Sequence, residues 1–180
     1  QQQIASDVAG VGFSLNPITN NYDEAVFTAN WGLGETVVAG MVTPDTFTVD
    51  KISLQMISKV LGTKEKAMLL LPSGGTKEVA QNRGHEFTLS DEQIIALTEL
   101  IKKVETSYKK PIDIEWAYAK GNLYLLQARP ISVYVPLSSE MVTLPGEKKR
   151  LYLDVTISVQ GMYQPVSVVG TSFFAILLNN

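Results

Sequence analysis

Apolar and polar residues alternate strictly through one stretch of the chain. Ile112, Ile114, Trp116 and Tyr118 fall on one side, and Asp113, Glu115 and Ala117 on the other. Period two over this length predicts a half-buried strand, and its second face carries acids. The segment Leu123 to Arg129 is apolar until Gln127 and Arg129, which predicts a returning strand and a hairpin. A three-residue loop, Lys120-Gly121-Asn122, with one residue at positive φ places Tyr118 opposite Tyr124, Glu115 opposite Gln127 and Asp113 opposite Arg129. A two-residue loop puts the two sets on opposite faces. In the three-residue register opposed Cβ atoms lie roughly 4.5–5.5 Å apart, close enough for two oxygen ligands to share one hard cation. The same pattern fits a plain sheet edge whose polar residues face solvent.

A second period organises Ser90 to Lys109. Ile94, Leu97, Ile101, Val104 and Tyr108 recur at three and four, which predicts a helix with one buried stripe. Ser90 and Gln93 have capping-box spacing, Asp91 and Glu92 sit at the positive end, and Lys102, Lys103, Lys109 and Lys110 lie at or past the negative end. Pro111 stops the helix and delivers the chain into the acidic strand, so the helix is expected to back that sheet. Further strands are expected at Val8 to Ser14 and Glu24 to Asn30, as a hairpin, then at Phe47 to Val49, Ile52 to Lys59 and Ala67 to Leu71. Gln1 to Ile4 reads as the end of a strand, and Leu151 to Val159 as a weakly alternating one. Gly32 and Gly34 predict a tight turn into a short helix, Glu35 to Ala39. Ser73-Gly74-Gly75-Thr76 reads as a turn. His85 lies in a polar stretch with no partner set for catalysis and reads as a solvated loop residue.

Composition narrows the function. The 180 residues are 45% hydrophobic and 18% charged, the balance of a globular chain with material for a core. A net charge of −3 and a longest cationic run of Lys148-Lys149-Arg150 argue against nucleic acid as a partner. With no cysteine and one histidine, thiolate and multi-His metal centres are excluded, and a cytoplasmic setting is expected. The most apolar run, Val166 to Leu178, has 13 residues where a spanning helix needs about 20, so no membrane segment is expected.

Several motifs share one resemblance. They are Ala9-Gly10-Val11-Gly12-Phe13 leading to Asn16-Pro17, then Trp31-Gly32-Leu33-Gly34-Glu35, then Gly40-x-Val42-x-Pro44-Asp45. Asp113-Ile114-Glu115-Trp116 comes next, and Gln127-x-Arg129-Pro130-Ile131 closes the set. Together they resemble the end of the ATP-binding domain in the group formed by phosphoenolpyruvate synthase, pyruvate phosphate dikinase and rifampicin phosphotransferase. Ala9 and Gly12 depart slightly from the group's pattern. The resemblance implies an α+β fold: an ATP-grasp-like C-terminal lobe, a mostly antiparallel sheet backed by helices, followed by the start of another domain. It also implies that Glu115 and Gln127 hold Mg2+ with ATP, that Arg129 contacts the phosphates as the catalytic cation, and that Asp113 is a further site residue. Gln1 and Gln3 fall where the adenine-side strand is expected.

The resemblance further implies what this stretch lacks. The triphosphate-binding Lys and Arg of an N-terminal lobe are absent, as is the phosphohistidine domain that carries phosphate onward to a small-molecule acceptor, pyruvate or an antibiotic. Residues 1–132 are expected to form the lobe, 133–150 a linker and 151–180 the start of the next domain. Gln1 in place of a Met suggests a processed or cut start, and the chain alone is expected to be inactive. Arg150-Leu151-Tyr152-Leu153 and Gly170-Thr171-Ser172-Phe173 loosely resemble the domain that comes next in rifampicin phosphotransferases. The alternative is a stand-alone, non-catalytic binding module that keeps the sheet.

Overall fold

The structure is a computed structural model that describes residues 3–132 together with 134, 141, 143, 147 and 148. The chain divides into two compact units, Gln1–Pro136 and Leu137–Asn180. Gln1, the strand expected at Leu151 to Val159 and the apolar run after Gly161 lie outside the described residues.

In chain order the first unit holds β1 (Val8–Phe13), β2 (Glu24–Trp31), α1 (Glu35–Val38), β3 (Asp45–Asp50), β4 (Met56–Val60), β5 (Lys66–Leu70), β6 (Thr76–Ala80), α2 (Asp91–Tyr108), β7 (Ile112–Ala119) and β8 (Asn122–Pro130). Six strands make one antiparallel sheet in the order β4-β3-β2-β1-β7-β8, and β5 and β6 make a separate ribbon. Among the described residues, one isolated bridge, Gly32 to Met68, is parallel. An antiparallel sheet with helices is the α+β class expected. From β1 to β4 the chain runs from the middle of the sheet to one edge, but β7 joins β1 only after the ribbon and α2 have been made.

Helix α2 forms where its period predicts. Ser90 Oγ accepts from the Gln93 N–H at 3.3 Å, and Gln93 Oε1 accepts from the Ser90 N–H at 2.9 Å, completing the capping box. Ile94, Leu97 and Ile101 are fully buried against the sheet face that carries Phe27, Phe47, Ile112, Ile114 and Trp116. Each such side chain removed from water contributes about 1.5–3 kcal/mol. Tyr118 reaches from β7 to donate its hydroxyl to the Gln93 carbonyl at 2.9 Å. The middle strand leaves room for this packing. A Cβ at Gly10 would lie 1.8 Å from the Thr28 carbonyl oxygen, and one at Gly12 would lie 2.7 Å from the Phe27 ring.

Two strand expectations are corrected. The strand expected at Ile52 to Lys59 begins only at Met56. Asp50 Oδ1 accepts from the N–H groups of Ile52 and Ser53, and Leu54 takes φ +58, so local side-chain bonding wins over β propensity there. Thr76 to Ala80, where only a turn ending at Thr76 was expected, is β6, because Gly74 and Gly75, both at positive φ, fold the chain back onto β5. Gln3 and Ile4 are described but belong to no strand. Helix α1 and the Gly32 turn stand as expected, with Gly32 at φ +76 and too close to the Met68 carbonyl for any side chain. Among the described residues no helix is long and apolar enough to cross a membrane.

A buried ion pair fastens the loops to the sheet. Lys64 and Asp45 are both fully buried and bridged. Asp45 Oδ1 also accepts from the Gly62 N–H at 2.8 Å, and Oδ2 accepts from the Thr88 N–H at 2.7 Å and from the Thr88 hydroxyl at 2.9 Å. Lys64 Nζ donates to the carbonyls of Gly62 and Gly84 at 2.7 and 3.4 Å. With every polar atom paired, the network links β3, the loop before β5 and the approach to α2. Asp45→Ala strands the ammonium, so chemical denaturation should show a loss of about 3–5 kcal/mol. The double variant Asp45→Leu/Lys64→Met should recover a large part of it; equal losses for single and double variants would mean that the pairing itself contributes nothing.

Candidate functional site

The β7–β8 hairpin turns through two residues, not three. Ala119 pairs with Asn122, and Lys120 and Gly121 take φ +51 and +76, the left-handed pair that a two-residue hairpin turn requires. A lysine at positive φ is held there by its neighbours: its N–H donates to Asp7 Oδ2 at 2.7 Å, and its carbonyl accepts from Asn122 Nδ2 at 3.3 Å. Tyr118 therefore faces Leu123, and the expected partner Tyr124 faces Ala117.

By itself this turn would set Glu115 opposite Leu126. The register instead slips by one between Glu115 and Trp116, so that Trp116 faces Leu125, Glu115 faces Gln127 and Asp113 faces Arg129. Leu126 is the extra residue of a β-bulge. The bulge returns Ala128 to the core side, where it packs against the buried cluster, and brings Gln127 and Arg129 to the face of the acids. The two pairings expected at the site are thus present, reached by a different turn and a compensating bulge.

On this face Arg129 Nε donates to both Asp113 oxygens, at 2.8 and 2.9 Å. The Asp113 carboxylate holds the guanidinium above its ordinary pKa, first through this hydrogen bond and then through its charge, with Glu115 adding a smaller push in the same direction. Asp113 is half-buried and Arg129 exposed, so the acid orients the base. Among the described residues Arg129 is hydrogen-bonded through Nε alone, and its two Nη groups have the planar geometry that suits phosphate oxygens. Glu115 is half-buried and Gln127 exposed. Among the described residues, neither side chain has a hydrogen-bond partner.

Val11 and Phe13 of β1, then Thr28 and Val26 of β2, continue the same face inward from Glu115 and Asp113. Gln3 precedes β1 at its Val8 end, beside Tyr118, whereas Asp113 and Arg129 lie at the Phe13 end; the described contacts do not bring Gln3 to them. His85 is exposed beside Glu86 in a loop, as expected.

Among the described residues there is no group of three or more His, Cys, Asp or Glu side chains that could hold a metal ion. Glu115 and Gln127 pair across the hairpin and carry hard oxygen donors of the kind that suit Mg2+, which keeps waters and takes ligands from substrate phosphates instead of sitting in an all-protein cage.

Residues 1–145 match the family described as the pyruvate phosphate dikinase AMP/ATP-binding domain. The chain belongs to this family. It is 45% identical over 134 residues to a probable phosphoenolpyruvate synthase of Methanocaldococcus jannaschii, a match covering 73% of this chain and 11% of that protein. An uncharacterized phosphotransferase of Bacillus subtilis is 47% identical over 133 residues, covering 73% and 16%. The rifampicin phosphotransferase of Bacillus subtilis is 32% identical over 176 residues, covering 97% and 20%. The chain therefore spans between a tenth and a fifth of the length of these curated relatives.

As a member of the dikinase AMP/ATP-binding family, the chain places Asp113, Glu115, Gln127 and Arg129 together on one face of the β7–β8 hairpin. Sequence reasoning missed the bulge. The signal available was the unbroken apolar run Leu123-Tyr124-Leu125-Leu126, which cannot alternate faces on an edge strand without either a slip or exposed leucines, and both occur.

If Asp113 orients the guanidinium, the Arg129 Nε proton should be protected from exchange with solvent in 15N-edited NMR spectra, and Asp113→Ala should raise its exchange at least severalfold. Equal exchange in the two proteins would remove Asp113 from that role.

Proposed function

We propose that this chain is the C-terminal lobe of the ATP-grasp-like nucleotide-binding domain of a dikinase-type phosphotransferase. In this reading residues 1–132 form the lobe, 133–150 a linker and 151–180 the start of the following domain. The observation that carries it is the pairing of Glu115 with Gln127 across the hairpin, neither with a hydrogen-bond partner among the described residues, beside an arginine that Asp113 engages. Phosphoryl transfer asks a protein for positioning and for neutralisation of charge on the phosphates. Glu115 and Gln127 would hold Mg2+, which when bound screens the phosphates of ATP. Arg129 would bind phosphate oxygens through its Nη groups, and Asp113 would fix the plane in which they lie. Gln1 and Gln3 would contribute on the adenine side.

The relatives' length supports a larger enzyme in which an N-terminal lobe closes over the nucleotide and a phosphohistidine domain passes phosphate to a small acceptor. A probable phosphoenolpyruvate synthase and a rifampicin phosphotransferase among the relatives support pyruvate or an antibiotic as that acceptor. The site here is an open sheet face, and nucleotide sites bury most of their ligand, so the isolated chain would bind ATP weakly and cleave none.

In the full-length enzyme, Glu115→Ala should lower Mg2+-dependent ATP cleavage by about 100-fold or more, the scale of losing one group that neutralises developing charge. The thermal midpoint should stay within a few degrees, because Glu115 packs against nothing in the core. Near-normal turnover by this variant would sink the site assignment.

A further inference from the structure

Hydrogen-bonded partners in an antiparallel ladder exchange two backbone bonds. Ser14 and Ile112, one step beyond the Phe13–Asp113 pair, exchange one. The Ser14 N–H donates to the Ile112 carbonyl at 2.9 Å, but the Ile112 N–H donates to Ser14 Oγ, also at 2.9 Å. The serine side chain completes the rung in place of its own carbonyl, and the chain is free to leave the sheet towards Asn16. The first amide of β7 is therefore held by a side chain.

That side chain is itself anchored. Ser14 is fully buried, and its hydroxyl proton goes to Glu105 Oε1 of α2 at 2.7 Å. Glu105 Oε2 is bridged to Lys51 Nζ at 2.7 Å, at the end of β3, with both side chains largely out of solvent. Lys102 Nζ, one turn back on α2, donates to the Lys51 carbonyl at 2.6 Å. Helix α2 and the residues just after β1 and β3 thus converge on the backbone one residue before Asp113, and the proposed phosphoryl chemistry uses none of these groups directly. A network that merely filled the core would not need a charge pair so far out of water, where an unpaired partner is costly.

The geometry points to Ser14, supported by Glu105 and Lys51, as a positioning residue that fixes the start of β7 and through it the Asp113 carboxylate that aims Arg129. This rests on the reading of Arg129 as a phosphate ligand. A hydroxyl is required because one atom must accept from Ile112 and donate to Glu105 at once. Alanine leaves the Ile112 N–H and Glu105 Oε1 without these bonds, so Asp113 loses its fixed place and Arg129 its orientation.

The test is steady-state kinetics of the full-length enzyme, with thermal midpoints measured alongside. Ser14→Ala should raise the KM for ATP about 3- to 10-fold, the scale of one lost hydrogen bond, with the KM of the phosphate acceptor changed by less than about twofold. Ser14→Thr, which keeps the hydroxyl, should restore the KM for ATP. If Ser14→Ala does not fold, Glu105→Gln carries the test; it keeps the shape but can turn an amide donor towards Ser14, and should move the KM for ATP in the same direction by a smaller factor. A lowered thermal midpoint with an unchanged KM for ATP would reduce Ser14 to a structural residue and overturn the inference. Arg129→Gln separates the two ideas. If it raises the KM for ATP while Ser14→Ala does not, only the positioning role falls; if Arg129→Gln leaves it unchanged, the phosphate-binding reading falls as well.

Discussion

The structure depends on a strand that presents almost nothing on its packed face. β1 lies between β2 and β7, and at Gly10 and Gly12 it offers no side chain where any Cβ would collide with the Thr28 carbonyl or the Phe27 ring. Phe27 and Trp116 come in from the two flanking strands to cover that gap, and Ile94, Leu97 and Ile101 of α2 close over them. The central strand is therefore a seam, with the meander of β2, β3 and β4 on one side and the β7–β8 hairpin on the other. Glycine in a strand is ordinarily a weakness; here the absence of side chains lets large rings bury across the seam, and burial of that size outweighs the entropy glycine loses on folding.

The consequence for chemistry lies on the opposite face. Because Ile112, Ile114 and Trp116 are locked under α2, strand alternation leaves Asp113 and Glu115 no choice but to point away from the core. The partner strand has no such lock. β8 is an edge strand, and its side chains reach the right face only through the slip at Leu126. Bulges recur at edges, where they both re-aim a side chain and spoil the edge as a template for further pairing. One extra residue here does both, leaving Leu125 and Leu126 partly exposed as its visible cost.

Two buried polar networks divide the labour. Asp45 and Lys64 tie loops to the sheet far from the acidic face, and every donor and acceptor in that pair is used. Ser14, Glu105 and Lys51 sit at the Asp113 end and hold a backbone amide instead of a loop. Charges are taken out of water in both places, which is favourable only when geometry is tight and fully bonded. Neither was legible as a pair: Asp45 and Lys64 are 19 residues apart and Ser14 and Glu105 are 91 apart, and no local pattern signals which polar residues will be buried.

What the sequence by itself determined was everything carried by short-range periodicity and spacing. That covers the capped helix α2 with its buried stripe, the alternation that commits Asp113 and Glu115 to one face, the turn glycines, and the motif order that led to the AMP/ATP-binding family. It also identified Glu115 with Gln127 and Asp113 with Arg129 as partners, although through a three-residue loop that does not form. Only the tertiary structure decided how those pairs arise, because a turn of two residues and a bulge of one cancel in register and leave no trace in composition. Asp7, more than a hundred residues from Lys120, holds the turn in its left-handed form, and packing of Ala128 on the core favours the slip. Period and spacing act within a few residues of the chain; register on this edge strand is settled by contacts between residues far apart in the chain.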